Sequence, residues 1–441
     1  MKSREATLDI LDQAWQRNKR LSDIRDAYFK THSLPVNIRQ RITSMTQEIT
    51  RWQGRLDYWL GQVSHRPLTD LQRRLLILLR IGAYEILLDD QIPDYAAINS
   101  AVDLARRRVG RQATGLVNAT LRNVAKLDPL APPSDPDHHT TEADWYSFPR
   151  WLWGRWIDRY GPEDTRALGG YLNSFPALTI RRDRGRIDSE KLVQILAGDG
   201  ILVEPLPGTD LFFQVRTGGA ALRTHQLFKT GCIAFQDRAA GAVVELLDPQ
   251  PGEIILDLCA APGTKTVYIA ELLGRSGDGW IHASDSDRER VTKARRDGAR
   301  HGWRNIHWNV ADATVASFPL ADGILVDAPC SGTGVIGRRP DIRWRRVPAD
   351  LVELAELQLN ILTNSARYLK PGGRLVYATC TLEPEENWNV VKAFLKLQRD
   401  FTVAEIDHLV PKEWIGSVGC LETFPPRDQV DGIFAARLKK I

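Results

Sequence analysis

Two cysteines stand just past apolar runs that read as short buried strands. Cys330 follows Gly323-Ile-Leu-Val-Asp327, and Cys380 follows Arg374-Leu-Val-Tyr377. Gly372-Gly373 punctuates the start of the second run, and Pro384 prevents its smooth continuation. Open α/β sheets bind ligands and do chemistry at the C-terminal ends of their strands. A thiol with a pKa near about 8.5 is only about 3% thiolate at pH 7, so a catalytic cysteine needs a cationic or dipolar setting. One chemistry that gives two thiols work is methylation of a pyrimidine carbon. C5 of cytosine is a poor nucleophile. A thiolate added to C6 makes C5 enamine-like, and C5 can then attack a methyl sulfonium. The C5 proton must then leave and the thiol must be eliminated, which gives a second group a task. Two buried structural cysteines are the competing reading.

Acids at neighbouring strand ends suggest a cofactor. The first strand of this region ends in Asp257-Leu-Cys-Ala-Ala-Pro-Gly-Thr-Lys-Thr266, a tight turn that opens onto a helix. Gly263 lets backbone approach a ligand closely there. The turn is not a phosphate loop: Lys265-Thr266 fit its end, but Cys259 and Thr264 occupy both glycine positions. A formal G-x-G-x-x-G at Gly332-Thr-Gly-Val-Ile-Gly337 is a decoy. It comes late in the sheet and runs into Arg338-Arg339-Pro340 rather than an apolar helix. Asp285 lies just after the second strand, where such folds present an acid to a ribose diol. Asp312 follows the third strand and Asp327 ends the fourth. Acids at successive strand ends, without a phosphate loop, suit a ligand with a ribose and a positive charge but no phosphates. S-adenosylmethionine has those features. Isolated caps and turn residues are the alternative.

The elements that must position these groups alternate. Strand-like runs at 253–257, 279–283, 305–308, 323–327 and 374–377 are separated by helical patterns at 266–273, 288–301 and 351–369. That order predicts an α/β fold with a mostly parallel, doubly wound sheet over residues 236–441. Residues 1–130 read as an all-helical bundle; Leu71, Leu75, Leu78, Leu79, Gly82 and Ile86 make one apolar helix face. Residues 131–145 form a proline-rich polar linker in which His138-His139 is solvated rather than metal-binding. Residues 146–235 read as a small α+β unit, with core packing explaining most of Trp145, Trp151, Trp153 and Trp156.

The net charge of +4 excludes a histone-like polycation but permits local basic faces. Three are visible, at 106–111, 181–184 and 338–346, and arginine-rich faces favour an RNA or DNA ligand. Five scattered cysteines without a C-x-x-C argue against disulfides and zinc, and for a reducing cytosol. No apolar signal segment follows the N-terminal charges, and arginines interrupt the most apolar helix, so neither a signal peptide nor a membrane span is expected.

Taken together, these motifs resemble the RNA 5-methylcytosine methyltransferases, most closely the bacterial RsmB (Sun) branch. The resemblance rests on Asp257-Leu-Cys-Ala-Ala-Pro-Gly, Asp327-Ala-Pro-Cys-Ser-Gly-Thr-Gly-Val-Ile, Pro340-Asp-Ile-Arg-Trp344, Tyr377-Ala-Thr-Cys380, Pro384-Glu-Glu-Asn387 and the closing Asp431-Gly-Ile-Phe434. It implies a Rossmann-like methyltransferase domain behind a helical part similar to the NusB-type RNA-binding domain. It implies that Cys380 is the nucleophile and that Cys330 promotes product release. S-adenosyl-L-methionine would be held by the turn of Cys259, Ala260, Ala261, Pro262, Gly263, Thr264 and Lys265, with Asp285, Asp312 and Asp327. Asp327 would also contact the cytosine ring. The implied substrate is a cytosine of small-subunit ribosomal RNA, modified in the cytoplasm by a monomer that needs no metal. The chain departs from the family pattern at Thr264, where a second glycine is usual, and at Gly337-Arg338-Arg339, which replaces an Ile-Arg-Arg-His-Pro stretch.

Overall fold

The computed structural model describes residues 2–17, 19–131, 139–274 and 279–441. The chain forms two compact units, Met1–Ser174 with Ile336–Arg346, and Phe175–Val335 with Val347–Ile441.

The first unit is helical. Its central helix, Arg73–Leu87, is buried from Leu75 to Glu85, so apolar residues surround it instead of lining the one face that the spacing predicts. Helices Lys2–Arg17, Gln53–Val63, Asp94–Arg108 and Ala113–Val124 pack on it. Arg80 is tolerated inside because Asp57 takes it bidentately, at 2.7 Å for each bond. Trp153 and Trp156 are buried beside Phe148, as core packing requires. The proline-rich centre of the expected linker, 132–138 with His138, lies outside the described residues; from His139 to Trp145 the chain is helical. Segment 336–346 completes this unit. Arg343 is wholly buried and donates to Arg51 O, Ser147 O and Asn173 Oδ1 at 3.1, 2.8 and 2.8 Å.

The second unit holds two sheets. The smaller is antiparallel: β1 (Thr179–Arg182), β2 (Val203–Pro205), β3 (Phe212–Val215) and β4 (Ile233–Phe235), ordered β2-β3-β1-β4. The larger contains β5 (Ile254–Leu258), β6 (Trp280–Asp285), β7 (Ile306–Val310), β8 (Ala321–Asp327), β9 (Leu369–Thr379), β10 (Phe401–Val403), β11 (Leu421–Glu422) and β12 (Phe434–Lys440). Its order is β10-β12-β9-β8-β5-β6-β7, with β11 paired to β12. Strands β5 to β9 are parallel, as the alternation predicts. β12 lies antiparallel between β9 and β10, an edge the sequence reading does not contain. β9 starts earlier than expected, because Gly372, at φ +75°, sits in a bulge that β9 passes through.

Two of the expected basic faces are corrected. Arg181 is fully buried, paired with Glu271 and bonded to Gln236 at 2.7 Å, and Arg182 is held by Asp210; only Arg184 of that run is exposed. Likewise Arg343 is an interior residue of the helical unit. Charge in a sequence does not distinguish a solvated arginine from a buried, hydrogen-bonded one.

Candidate active site

The site lies in the second unit, where β5, β6, β8 and β9 end on the same edge of the sheet. After β5 the chain turns through Cys259, at φ +66°, and a cis Ala261–Pro262 bond, then enters helix Thr264–Leu273 at Gly263. Gly263 has φ +97°, and a Cβ there would lie 2.8 Å from Trp308 Cη2 on β7. Both constraints require glycine. Asp285, ending β6, clamps the turn. Its Oδ2 accepts from Ala261 N–H at 3.2 Å and its Oδ1 from Asp287 N–H at 3.0 Å, while Arg290 pairs with it at 3.0 Å and also reaches Ala261 O.

Asp257 is buried beneath the turn. Its Oδ2 accepts from Thr266 Oγ1 at 2.6 Å. Burial pushes its carboxyl up to about 7, against the pull of Thr266, with Asp327 and Asp285 adding to the rise. Asp257 Oδ1 and Ser284 Oγ are buried without a hydrogen-bond partner among the described residues. Asp312 is exposed, and bonds from the hydroxyl and N–H of Thr314 hold its carboxyl below the usual range. Lys265 reaches from the turn to Asp327 at the end of β8, at 2.7 Å. Burial lowers the ammonium pKa, but Asp327, with Cys380 and Asp257, outweighs it and raises the net value.

β8 and β9 are neighbours, so their trailing loops meet. Cys330 Sγ and Cys380 Sγ are 3.3 Å apart, and Cys380 N–H lies 3.3 Å from Cys330 Sγ. The bond to Cys380 and burial push the Cys330 thiol well up. Cys259 is remote from this pair in role: it shapes the turn, and burial raises its thiol too.

A polar brace behind the pair escaped the sequence reading. Glu386 Oε2 accepts from Ser331 N–H at 2.8 Å and from Gln358 Nε2 at 2.9 Å; its Oε1 accepts from Thr381 Oγ1 at 3.2 Å. One carboxylate therefore ties the residue after Cys330 to the residue after Cys380. The only advance signal was the Pro384-Glu-Glu-Asn387 motif. Gln358 gave none, being mid-helix in Pro348–Ala366. The decoy glycines also have structural tasks. Gly332 has φ +81°, and a Cβ on Gly334 would lie 2.1 Å from Gly432 O.

The α/β sheet, the acid-lined turn and the thiols beside it define a methyltransferase of the S-adenosylmethionine-dependent class. Residues 244–439 match the family described as 16S rRNA methyltransferase RsmB/F. Residues 1–126 match the NusB family, and residues 148–211 match the ferredoxin-like domain of RsmF/B-like methyltransferases. A probable ribosomal RNA small subunit methyltransferase B of Synechocystis is 33% identical over 94% of each chain. The probable enzyme of the same name from Bacillus subtilis is 31% identical over 99% of this chain and 98% of its own. The crystal structure of a methyltransferase homolog from Pyrococcus horikoshii superposes with a TM-score of 0.60 at 27% identity, covering 70% of this chain and 100% of its own. The chain belongs to the RsmB/F family of RNA methyltransferases. No described helix is long and apolar enough to cross a membrane, and among the described residues no cluster of His, Cys, Asp and Glu is arranged to hold a metal.

Proposed function

We propose that the chain methylates C5 of a cytosine in small-subunit (16S) ribosomal RNA in the cytoplasm, through a covalent bond between Cys380 Sγ and C6. The observation that carries this reading is the 3.3 Å approach of Cys330 and Cys380 at adjacent strand ends beside the Lys265–Asp327 pair. The small-subunit substrate rests on the names of the relatives.

The turn fits the cofactor. Lys265 pairs with Asp327 and Arg290 with Asp285, but Asp257 has no cation paired to it and its Oδ1 is a buried acceptor without a partner among the described residues, so a cationic ligand complements the three acids. Residues Cys259 to Lys265, with Asp285, Asp312 and Asp327, would hold S-adenosylmethionine. When bound, it supplies an electrophilic methyl group. Asp285 would hold the ribose diol, its carboxylate shared with Arg290.

Cys380, its thiol proton passed to water, adds to C6, and the electron pair of the broken C5=C6 π bond moves onto C5. Asp327 orients the cytosine. Once C5 carries the methyl group and gives its proton to water, the C5–H electron pair rebuilds the ring double bond and the Cys380–C6 bond breaks. Cys330, kept as a thiol by burial and by Cys380, donates its proton to the departing sulfur. We also propose the four-part organisation 1–130, 131–145, 146–235 and 236–441, the first part binding RNA, in a monomeric enzyme.

The test replaces each cysteine by alanine and looks for a protein–RNA adduct on a denaturing gel. An adduct trapped by Cys330→Ala and absent with Cys380→Ala supports the assignment. The reverse pattern makes Cys330 the nucleophile. No methyl transfer by the unaltered protein to any unmodified RNA, with cofactor bound, rejects the catalytic reading.

A further inference from the structure

A second feature of the catalytic unit lies apart from the thiols. Beside β7, the free edge of the large sheet, a groove of about 340 Å³ is lined by Arg295, Trp303, Ile306, His307, Trp308 and Asn309. No helix or strand intervenes between β7 and β8, so the usual covering helix is missing at this edge.

The groove combines two kinds of group that fit one ligand. Its aromatic side holds Trp303 and Trp308, both half-buried. The His307 ring lies on the opposite face of β7 from Trp308, where it stacks on Trp280 at 4.6 Å and on His282 at 5.3 Å. Its cation is Arg295, from helix Arg288–Ala299; the same helix also exposes Arg288, Lys293 and Arg296, and Arg304 is exposed just beyond. Arg295 bonds Trp308 O at 2.7 Å, and none of these five cations has a carboxylate ion-pair partner among the described residues. Other arginines of the unit are neutralised in the pairs Arg181–Glu271, Arg216–Glu204 and Arg374–Glu253. Unpaired cations beside aromatic faces are what single-stranded nucleic acid requires: phosphate neutralisation with base stacking. A pocket of this volume takes a ligand group of small-molecule size.

We propose that this groove binds a single-stranded nucleotide of the substrate RNA other than the target cytosine, its base on the Trp303–Trp308 side and its phosphate toward Arg295. The proposal rests on the RNA methyltransferase reading, but its test measures binding directly. Trp308 makes the groove contiguous with the cofactor turn, since its far edge fills the space that a Cβ on Gly263 would enter.

The experiment titrates the full chain into a fluorescein-labelled single-stranded fragment of unmodified small-subunit ribosomal RNA. Arg295→Glu and Trp303→Ala should each raise the Kd about 5- to 100-fold, the range for a lost stacking or phosphate contact. Trp303→Phe should restore most of the affinity by keeping an aromatic face. Calorimetric binding of S-adenosylmethionine to each variant reports an intact fold. Unchanged RNA affinity in the exposed charge reversal Arg295→Glu overturns the proposal, as does an affinity loss in Trp303→Ala that Trp303→Phe does not repair. An unaltered protein that binds RNA through the groove yet transfers no methyl group would reject the catalytic reading and leave the groove standing.

Discussion

Replacing Glu386 by alanine tests whether one buried carboxylate positions both thiols. Three donors converge on it: Ser331 N–H, Gln358 Nε2 and Thr381 Oγ1. Thr381 has other partners, Ser331 Oγ at 2.7 Å and Thr333 Oγ1 at 2.9 Å, so its loss is absorbed. Ser331 N–H and one hydrogen of Gln358 would remain buried and unpaired, at about 1–3 kcal/mol each. Burial pushes the Glu386 carboxyl up, against the pull of Ser331 and Gln358, and this desolvation cost disappears with the side chain. The expected loss is therefore about 2–4 kcal/mol, in the lower part of that range. Urea unfolding measures it as a lower midpoint at constant slope. Glu386→Gln keeps one acceptor oxygen facing Ser331 and Gln358 and should cost less than about 1 kcal/mol. Because the brace sets the loops that carry Cys330 and Cys380, the alanine variant should also lose methyl transfer in conditions where it is still folded, and glutamine should restore it. An alanine variant as stable and as active as the parent would refute the brace.

Further outcomes follow from the cofactor turn. Asp285→Asn should weaken S-adenosylmethionine binding by about 1.5–3 kcal/mol, the value of a hydrogen bond to a charged group, as read by calorimetry. Gly263→Ala combines an unfavourable φ with a Cβ 2.8 Å from Trp308 and should lower stability by about 2–4 kcal/mol, seen as a lower Tm. Asp257 gives a pH dependence. Its folded pKa of about 7 lies above the ordinary carboxylate value of 3.8, so the folded chain holds a proton that the unfolded chain has released between those values. The stability tied to that proton is present at low pH and is lost as pH rises through about 7. A cationic cofactor prefers the ionised form, so its affinity should rise over the same interval; Asp257→Asn should flatten both trends, in thermal melts and in calorimetry.

The meeting of the two thiols was legible because each cysteine closes an apolar run, and parallel strands end on the same edge. The acids were legible for the same reason. The brace was not: Gln358, Glu386 and Ser331 lie on a helix, a short helical turn and a loop, and only the folded loops bring them together. β12 was missed because Phe434-Ala-Ala-Arg-Leu-Lys-Lys440 carries charges that suit an edge strand, yet it lies inside the sheet between β9 and β10. Arg181 and Arg343 read as surface charge because no local pattern reveals Glu271, or the carbonyls of Arg51 and Ser147, as their partners. The sequence places Trp308 in a strand; its second task, occupying the space above Gly263, depends on a contact across the sheet.

Arg343 has a consequence for the order in which the molecule can be built. It is 170 residues beyond Asn173, yet it supplies hydrogen bonds to three acceptors buried within the helical unit. A ribosome that has made the first 174 residues has therefore made a bundle in which Ser147 O and Asn173 Oδ1 still wait for this donor, while Arg51 O already accepts from Ser147 Oγ at 2.7 Å. The missing piece emerges only after the loop bearing Cys330 has been synthesised. Maturation of the helical unit is thus tied in time to synthesis of the catalytic unit. A recombination event that moved residues 1–174 to another gene would carry away a bundle without its last part.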